Sequence, residues 1–268
     1  MLNRTRLVLA GLVALLALSS VMAAPVSASP GPFWHQRPAG TTGNGVKITQ
    51  SAQEKFLSKG GTSVLTTGGA VNITITCAEV QNKGTIWNNK LQGQGKLQVQ
   101  FTKCKTIGNG AGCTVAEPIK FSTYFHLAWK WNGEAKQLEQ GNQEALGQKV
   151  DILFTPKEIQ EGAESINDEE NFVTLTFNGI CLNASTEVVG FESAQIYPTQ
   201  VGTWASNAAF VFTPVRKKQH FWNGTKQVGV ETRLRAFGLV ESGFESVDEA
   251  NTFQAANGEP VEVSVSEN

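Results

Sequence analysis

The chain has 268 residues, with 22 basic and 23 acidic side chains and three histidines, so its formal charge is −1. That overall balance gives no electrostatic reason to expect nucleic acid or an anionic membrane as a partner. Fifteen Phe, six Trp and 27 Gly, with many Thr, Val and Gln stretches, favour strands and turns over helices, and the length suffices for one sizeable core.

The chain opens with Arg4 and Arg6, an apolar run from Leu7 to Leu18, and Val21-Met22-Ala23. This is the order of a secretory signal peptide, and the run is shorter than the roughly 20 residues that span a bilayer. Cleavage is expected after Ala23, with Ala28 as the fallback, giving a secreted, extracellular protein with no transmembrane anchor. Loss of the two arginines leaves 20 basic against 23 acidic side chains. Residues 24–45, rich in Pro, Ser, Gly and Thr, read as a flexible lead-in, and 46–268 as a single all-β domain with an acidic C-terminal stretch.

Ser51 and Glu54 form a capping box ahead of Phe56, with Gly60 and Gly61 behind, which predicts one short helix near 52–59. Alternation then takes over. Val71, Ile73, Ile75 and Cys77 share one parity, Leu97, Val99 and Phe101 another such set, and Ile119 to Trp131 is the longest alternating run. Further strands are expected near 148–154, 172–177, 186–197, 207–213, 217–222, 227–237 and 260–265. Asn132-Gly133 and Asn223-Gly224 suit tight hairpins, and 134–149 and 156–170 read as polar surface excursions, the second with room for a helical turn. VNITITC (71–77) echoes VTLTFNGIC (173–181), which suggests two similar halves. The fold expected is an antiparallel β-sandwich-like architecture with that one N-terminal helix.

Four cysteines in an exported chain imply two disulfides, with three connectivities open. Cys104 and Cys113 bracket a loop with Gly108, Gly110 and Gly112, flexible enough for a local bridge, which leaves Cys77 for Cys181. With no C-x-x-C, a zinc site is disfavoured, and no metal or cofactor is expected.

The strand ITITC ending at Cys77, KGTI at 83–86, FTKC ending at Cys104, then Cys113, Cys181 and VVGF at 188–191, resemble a group of exported all-β proteins of actinobacterial type. The resemblance covers about residues 63–238. It implies an all-β exported protein with two disulfides and supplies no activity.

Reactive motifs are absent: there is no nucleophile elbow, no HExxH, no P-loop and no dinucleotide fingerprint. His35 lies in the lead-in, while His126 and His220 fall on strands at polar parity. Two function classes remain. One is a non-enzymatic exported β-protein acting at or near the cell envelope, its partner a carbohydrate or envelope polymer held by exposed rings such as Tyr124, Trp87, Trp204 or Trp222. The other is a secreted, glycosidase-like hydrolase using a carboxylate pair drawn from Glu187, Glu192 and Glu231.

Overall fold

The structure, a computed structural model, describes residues 31–68, 72–109, 111–130, 149–163, 165–180, 184–200, 202–213, 217–222, 227–237 and 240–266. Among these there are sixteen strands and no helix. In chain order they are β1 (Phe33–Pro38), β2 (Val46–Lys47), β3 (Glu54–Gly60), β4 (Ser63–Thr67), β5 (Ile73–Asn88), β6 (Gly93–Gly108), β7 (Cys113–Val115) and β8 (Ile119–Lys130). They continue as β9 (Lys149–Thr155), β10 (Asn171–Gly179), β11 (Ser185–Gln200), β12 (Ala208–Phe212), β13 (Lys217–Trp222), β14 (Gln227–Ala236), β15 (Val240–Gln254) and β16 (Val261–Ser266).

Followed from neighbour to neighbour, the ladders return to their start. β3 pairs β5, β5 pairs β6, β6 pairs β8 and β8 pairs β9; β9 pairs β11, β11 pairs β12, β12 pairs β15, and β15 pairs β3 again. Every one of these pairings is antiparallel, so eight strands close into an up-and-down barrel whose opposite walls pack face to face as a sandwich does. The antiparallel, sandwich-like expectation holds. Eight strands enclose an interior just wide enough to be filled by side chains or to hold one small ligand.

The lower half of the ring is built from broken strands. β4 carries the β3 edge onward, pairing β5 and β15, and the end of β14 carries the β12 edge onward, pairing β11 and β15. β10 likewise continues β9 along β11. β8 is different. Its first half pairs β6 over Ile119–Phe101 to His126–Gln94 but does not reach β10, which pairs β7 and β11 instead. A slot without ladder bonds therefore separates the start of β8 from β10, with Phe121 and Phe172 on its two sides, ring centroids 6.5 Å apart.

β1, β2 and β16 form a separate three-stranded sheet over the other end. Trp34 and Ile48 are fully buried there, and Asn88 at the end of β5 clasps both segments. Its Oδ1 accepts from Trp34 N–H at 2.7 Å, and its Nδ2 donates to Trp34 O at 2.7 Å and Ile48 O at 2.8 Å.

Two expectations are corrected. The helix near 52–59 is the strand β3: Glu54, Phe56 and Ser58 are buried while Lys55, Leu57 and Lys59 are exposed, and β5 and β15 bond it on either side. Two ladders outweigh a capping signal worth about 1 kcal/mol. Residues 33–38 of the expected lead-in form β1, because β16 completes a sheet with them. Within the acidic C-terminal part lies the strand β15, with Glu241 and Glu245 exposed while Ser246 is buried.

Among its described residues the excursion 156–170 has turns at 161–162 and 168–169 and no helix. It lies on the outer wall, where Ile159, Ala163 and Ile166 cover Ala128, Leu153, Phe191, Val228 and Val230. Asp168 anchors it, accepting from Arg233 Nε at 3.2 Å and from Arg235 Nη2 through its backbone oxygen at 2.6 Å. The Asn-Gly turns, segment 134–148 and the leader lie outside the described residues.

A candidate ligand cavity inside the barrel

Inward parity fills the barrel with phenylalanine. Phe56, Phe125, Phe154, Phe210 and Phe253 form a layer beneath the end sheet, with centroids 5.5–6.4 Å apart along the chain of contacts. Two of these rings lie over glycine: a Cβ at Gly84 would stand 2.6 Å from Phe56, and one at Gly95 2.2 Å from Phe125. Contacts continue downward from Phe154 to Phe212 at 5.1 Å, Phe244 at 5.2 Å, Phe101 at 6.0 Å and Phe121 at 6.1 Å, ending at the slot.

Below this layer the side chains no longer meet. Leu97, Val99, Ile75, Leu175, Val188 and Leu234 line a cavity of about 110 Å³ together with the lower rings. One water needs roughly 10–15 Å³ on the same measure, so the space holds several atoms' worth of ligand, and an apolar lining of this kind stays dry. The polar groups on its wall are few. Thr123 spends its hydroxyl on Thr155 O at 2.8 Å, Ser63 shares a hydrogen bond with Ser246 at 2.8 Å, and Glu192 accepts from Ser193 N–H at 2.8 Å. Phe121, Phe172 and Val173, all half-buried, place the slot at the cavity's margin.

Cys77 is on this wall and is bonded to Cys104, directly opposite on β6, with Cα atoms 3.9 Å apart. This overturns both expected pairings, Cys104 with Cys113 and Cys77 with Cys181. The reason is a parity slip on both strands at one rung. Inward residues run Ile75, Cys77 and then Val80 on β5, and on β6 they run Leu97, Val99, Phe101 and then Cys104 across Lys103, whose φ is 57°. Glu117 holds that left-handed turn: its carboxylate accepts from Lys103 N–H at 2.6 Å and Cys104 N–H at 2.7 Å, the anion nest that such a turn makes. Cys113 is also disulfide-bonded, and Cys181 lies outside the described residues.

The residues singled out in the sequence are scattered. Trp87 is buried. Trp204 is half-buried, with the Arg37 guanidinium 4.5 Å over its ring, and Tyr124 is half-buried on the outer wall with the Lys96 ammonium 5.3 Å from its ring. The Trp222 and His220 side chains lie outside the described set. Of the carboxylates, Glu192 faces the cavity, while Glu187 and Glu231 are exposed on the outside, so these three share no cleft. His126, expected on a wet face, is fully buried beneath the excursion; its Nε2 accepts from Ile159 N–H at 3.4 Å, and burial lowers its pKa to about 3. Among the described residues no group of three His, Cys, Asp or Glu converges as a metal site would.

The sequence reading missed the cavity residues because each looks like ordinary core. The one available signal was the excess of fifteen Phe over two Tyr, rings that pack without a hydroxyl to satisfy. No family model, no curated protein and no solved structure matches this chain.

Proposed function

We propose that the chain is an exported, non-enzymatic binding protein that takes a small, uncharged, apolar molecule into the lower half of its barrel. The cavity of about 110 Å³ carries this reading, a largely carbon-lined space that opens at the break in the wall. Apolar pockets with a few polar groups are the common form of small-molecule sites. The volume suits a single ring or a short acyl chain, and the apolar lining makes burial of an anionic head group costly. Export rests on the Arg4 to Ala23 segment, and action near the envelope on that export alone.

The test is thermal unfolding with toluene, p-cresol, cyclohexanol and butyrate. The neutral probes are expected to raise Tm with concentration, since a ligand that binds only the folded state stabilises it by about 2.7 kcal/mol at a hundredfold excess over Kd. Butyrate is expected to have no effect. Filling the space should mimic the ligand: Val188→Leu, or more drastically Val99→Phe, raises Tm without probe and removes the probe response. A wild type insensitive to every neutral probe sinks the proposal.

A further inference from the structure

The outer wall carries a feature the cavity does not explain. Register sets β3, β5, β6 and β8 side by side, and their outward residues form three cross-strand rows. The first runs Lys55, Thr85, Lys96, Tyr124. The second runs Leu57, Lys83, Gln98, Ser122, and the third Lys59, Gln81, Gln100, Lys120. All five lysines are exposed, and none has an ion-pair partner among the described residues. No carboxylate stands in the three rows. The nearest below, Glu79, is engaged by Lys103 and Thr102, and on the far side β15 places Glu249 opposite Lys59 in register, marking the edge of the face. In a chain of formal charge −1, this is a pronounced local excess of positive charge.

The face is also shaped. A shallow depression of about 500 Å³ runs over it between Leu57 and Ser122, floored by the glutamines and flanked by Lys83 and Lys120. We infer that this wall is a docking surface for an acidic polysaccharide. The charge complementarity is direct, and the amides of Gln81, Gln98 and Gln100 offer both donors and acceptors to sugar hydroxyls. Lys55 and Lys96 stand two strands apart, about 10 Å at roughly 4.8 Å per strand, so one extended chain lying across the strands meets successive charges. A lipid surface fits less well, because Leu57 is the single exposed large apolar side chain of the rows and Tyr124 is half-buried with Lys96 against it. Arginine, the usual fork for nucleic-acid phosphates, is absent from the rows.

The experiment measures retention of the full-length secreted protein on immobilised polygalacturonate, dextran sulfate and neutral dextran, with anionic phosphatidylglycerol vesicles as a fourth arm. Retention on one or both acidic polymers and not on dextran is expected, weakening steeply between about 50 and 200 mM salt as several charge contacts are screened. The two acidic matrices distinguish carboxylate from sulfate recognition. The triple variant Lys83→Gln, Lys96→Gln, Lys120→Gln should lose at least tenfold in affinity, while a charge-matched control, Lys90→Gln, Lys105→Gln, Lys157→Gln, loses less than twofold. All six positions are exposed, so both variants keep the fold, which circular dichroism checks. Equal losses in the two triples reduce the effect to net charge, equal binding to vesicles assigns the face to lipid, and no retention on either acidic matrix removes the site; each overturns the inference.

Discussion

Gly95 bears the Phe125 ring where any other residue would put a Cβ, 2.2 Å from a ring carbon and 2.6 Å from Thr85 O. The ring sits in the middle of the aromatic layer and touches Phe56, Phe154 and Phe210, so it has no room to retreat. We expect Gly95→Ala to cost about 2 kcal/mol or more, the range of an overpacked core, measured by denaturant unfolding; a neutral result would mean that the layer yields. Glu117 acts at the same scale. Its single carboxylate replaces ladder bonds that β6 and β7 do not make, and it decides which face Cys104 takes. Alternation alone could not reveal this, since a left-handed Lys103 on a strand is invisible in a pattern of apolar residues. The cysteine pairing was therefore misjudged while the strand itself was correctly placed.

At the scale of elements, the strands legible in the sequence are those whose apolar residues alternate or cluster over a full strand length. β8 and β10 show in the sequence as polar and apolar residues in alternation, whereas β9, buried on both faces, and β12, which has no polar residue, show as short apolar runs of strand length. β1, β3 and β15 were missed for distinct reasons. β1 gains its meaning only from β16, more than 220 residues away; β3 carries Glu54 and Ser58 at inward positions; and the glutamates of β15 disguise its inward Phe244, Ser246 and Phe253. How the end sheet is attached could not be read either, since Asn88 looks like one more turn residue. In Asn88→Ala the buried Trp34 N–H loses its acceptor, whereas Trp34 O and Ile48 O each keep one backbone donor. The expected loss is about 1–3 kcal/mol, read as earlier thermal unfolding and faster exchange of β1 amides. Unchanged exchange in β1 would show that the sheet is held by Trp34 and Ile48 packing alone.

For the whole molecule, covalent connectivity offers a direct check. Non-reducing peptide mapping should give one linked peptide joining Cys77 to Cys104, and because Cys113 is bonded too, a second joining it to the one cysteine left, Cys181. A Cys104–Cys113 peptide would contradict the register of β5 and β6.

The response of stability to pH is a property of the whole fold, set by two buried groups that pull in opposite directions. Glu54 faces inward beneath the end sheet; burial raises its pKa to about 7, a hydrogen bond from Gln36 offsetting part of this. An acid with a raised folded pKa destabilises the fold as it ionises, so stability falls as pH climbs from about 4.5 to about 7 and is level above. His126 is the reverse case. Burial lowers its pKa to about 3, the unfolded chain takes up the proton first, and stability falls as pH drops from 6.5 toward 3. Between about 4.5 and 6.5 the two slopes, each at most about 1.4 kcal/mol per pH unit, cancel to leave a plateau. Below it, Asp168 and Glu262, whose pKa values are lowered chiefly by hydrogen bonds from Arg233 and Arg37, add to the loss. Glu54→Gln should break the cancellation. Its stability is expected to match wild type near pH 4, to rise through pH 4.5–6.5 on the His126 slope, and to exceed wild type at pH 8, as measured by urea unfolding at fixed salt. A stability difference that stays constant from pH 4 to 8 would mean that Glu54 titrates like an exposed carboxyl and that the end sheet leaves it in contact with water.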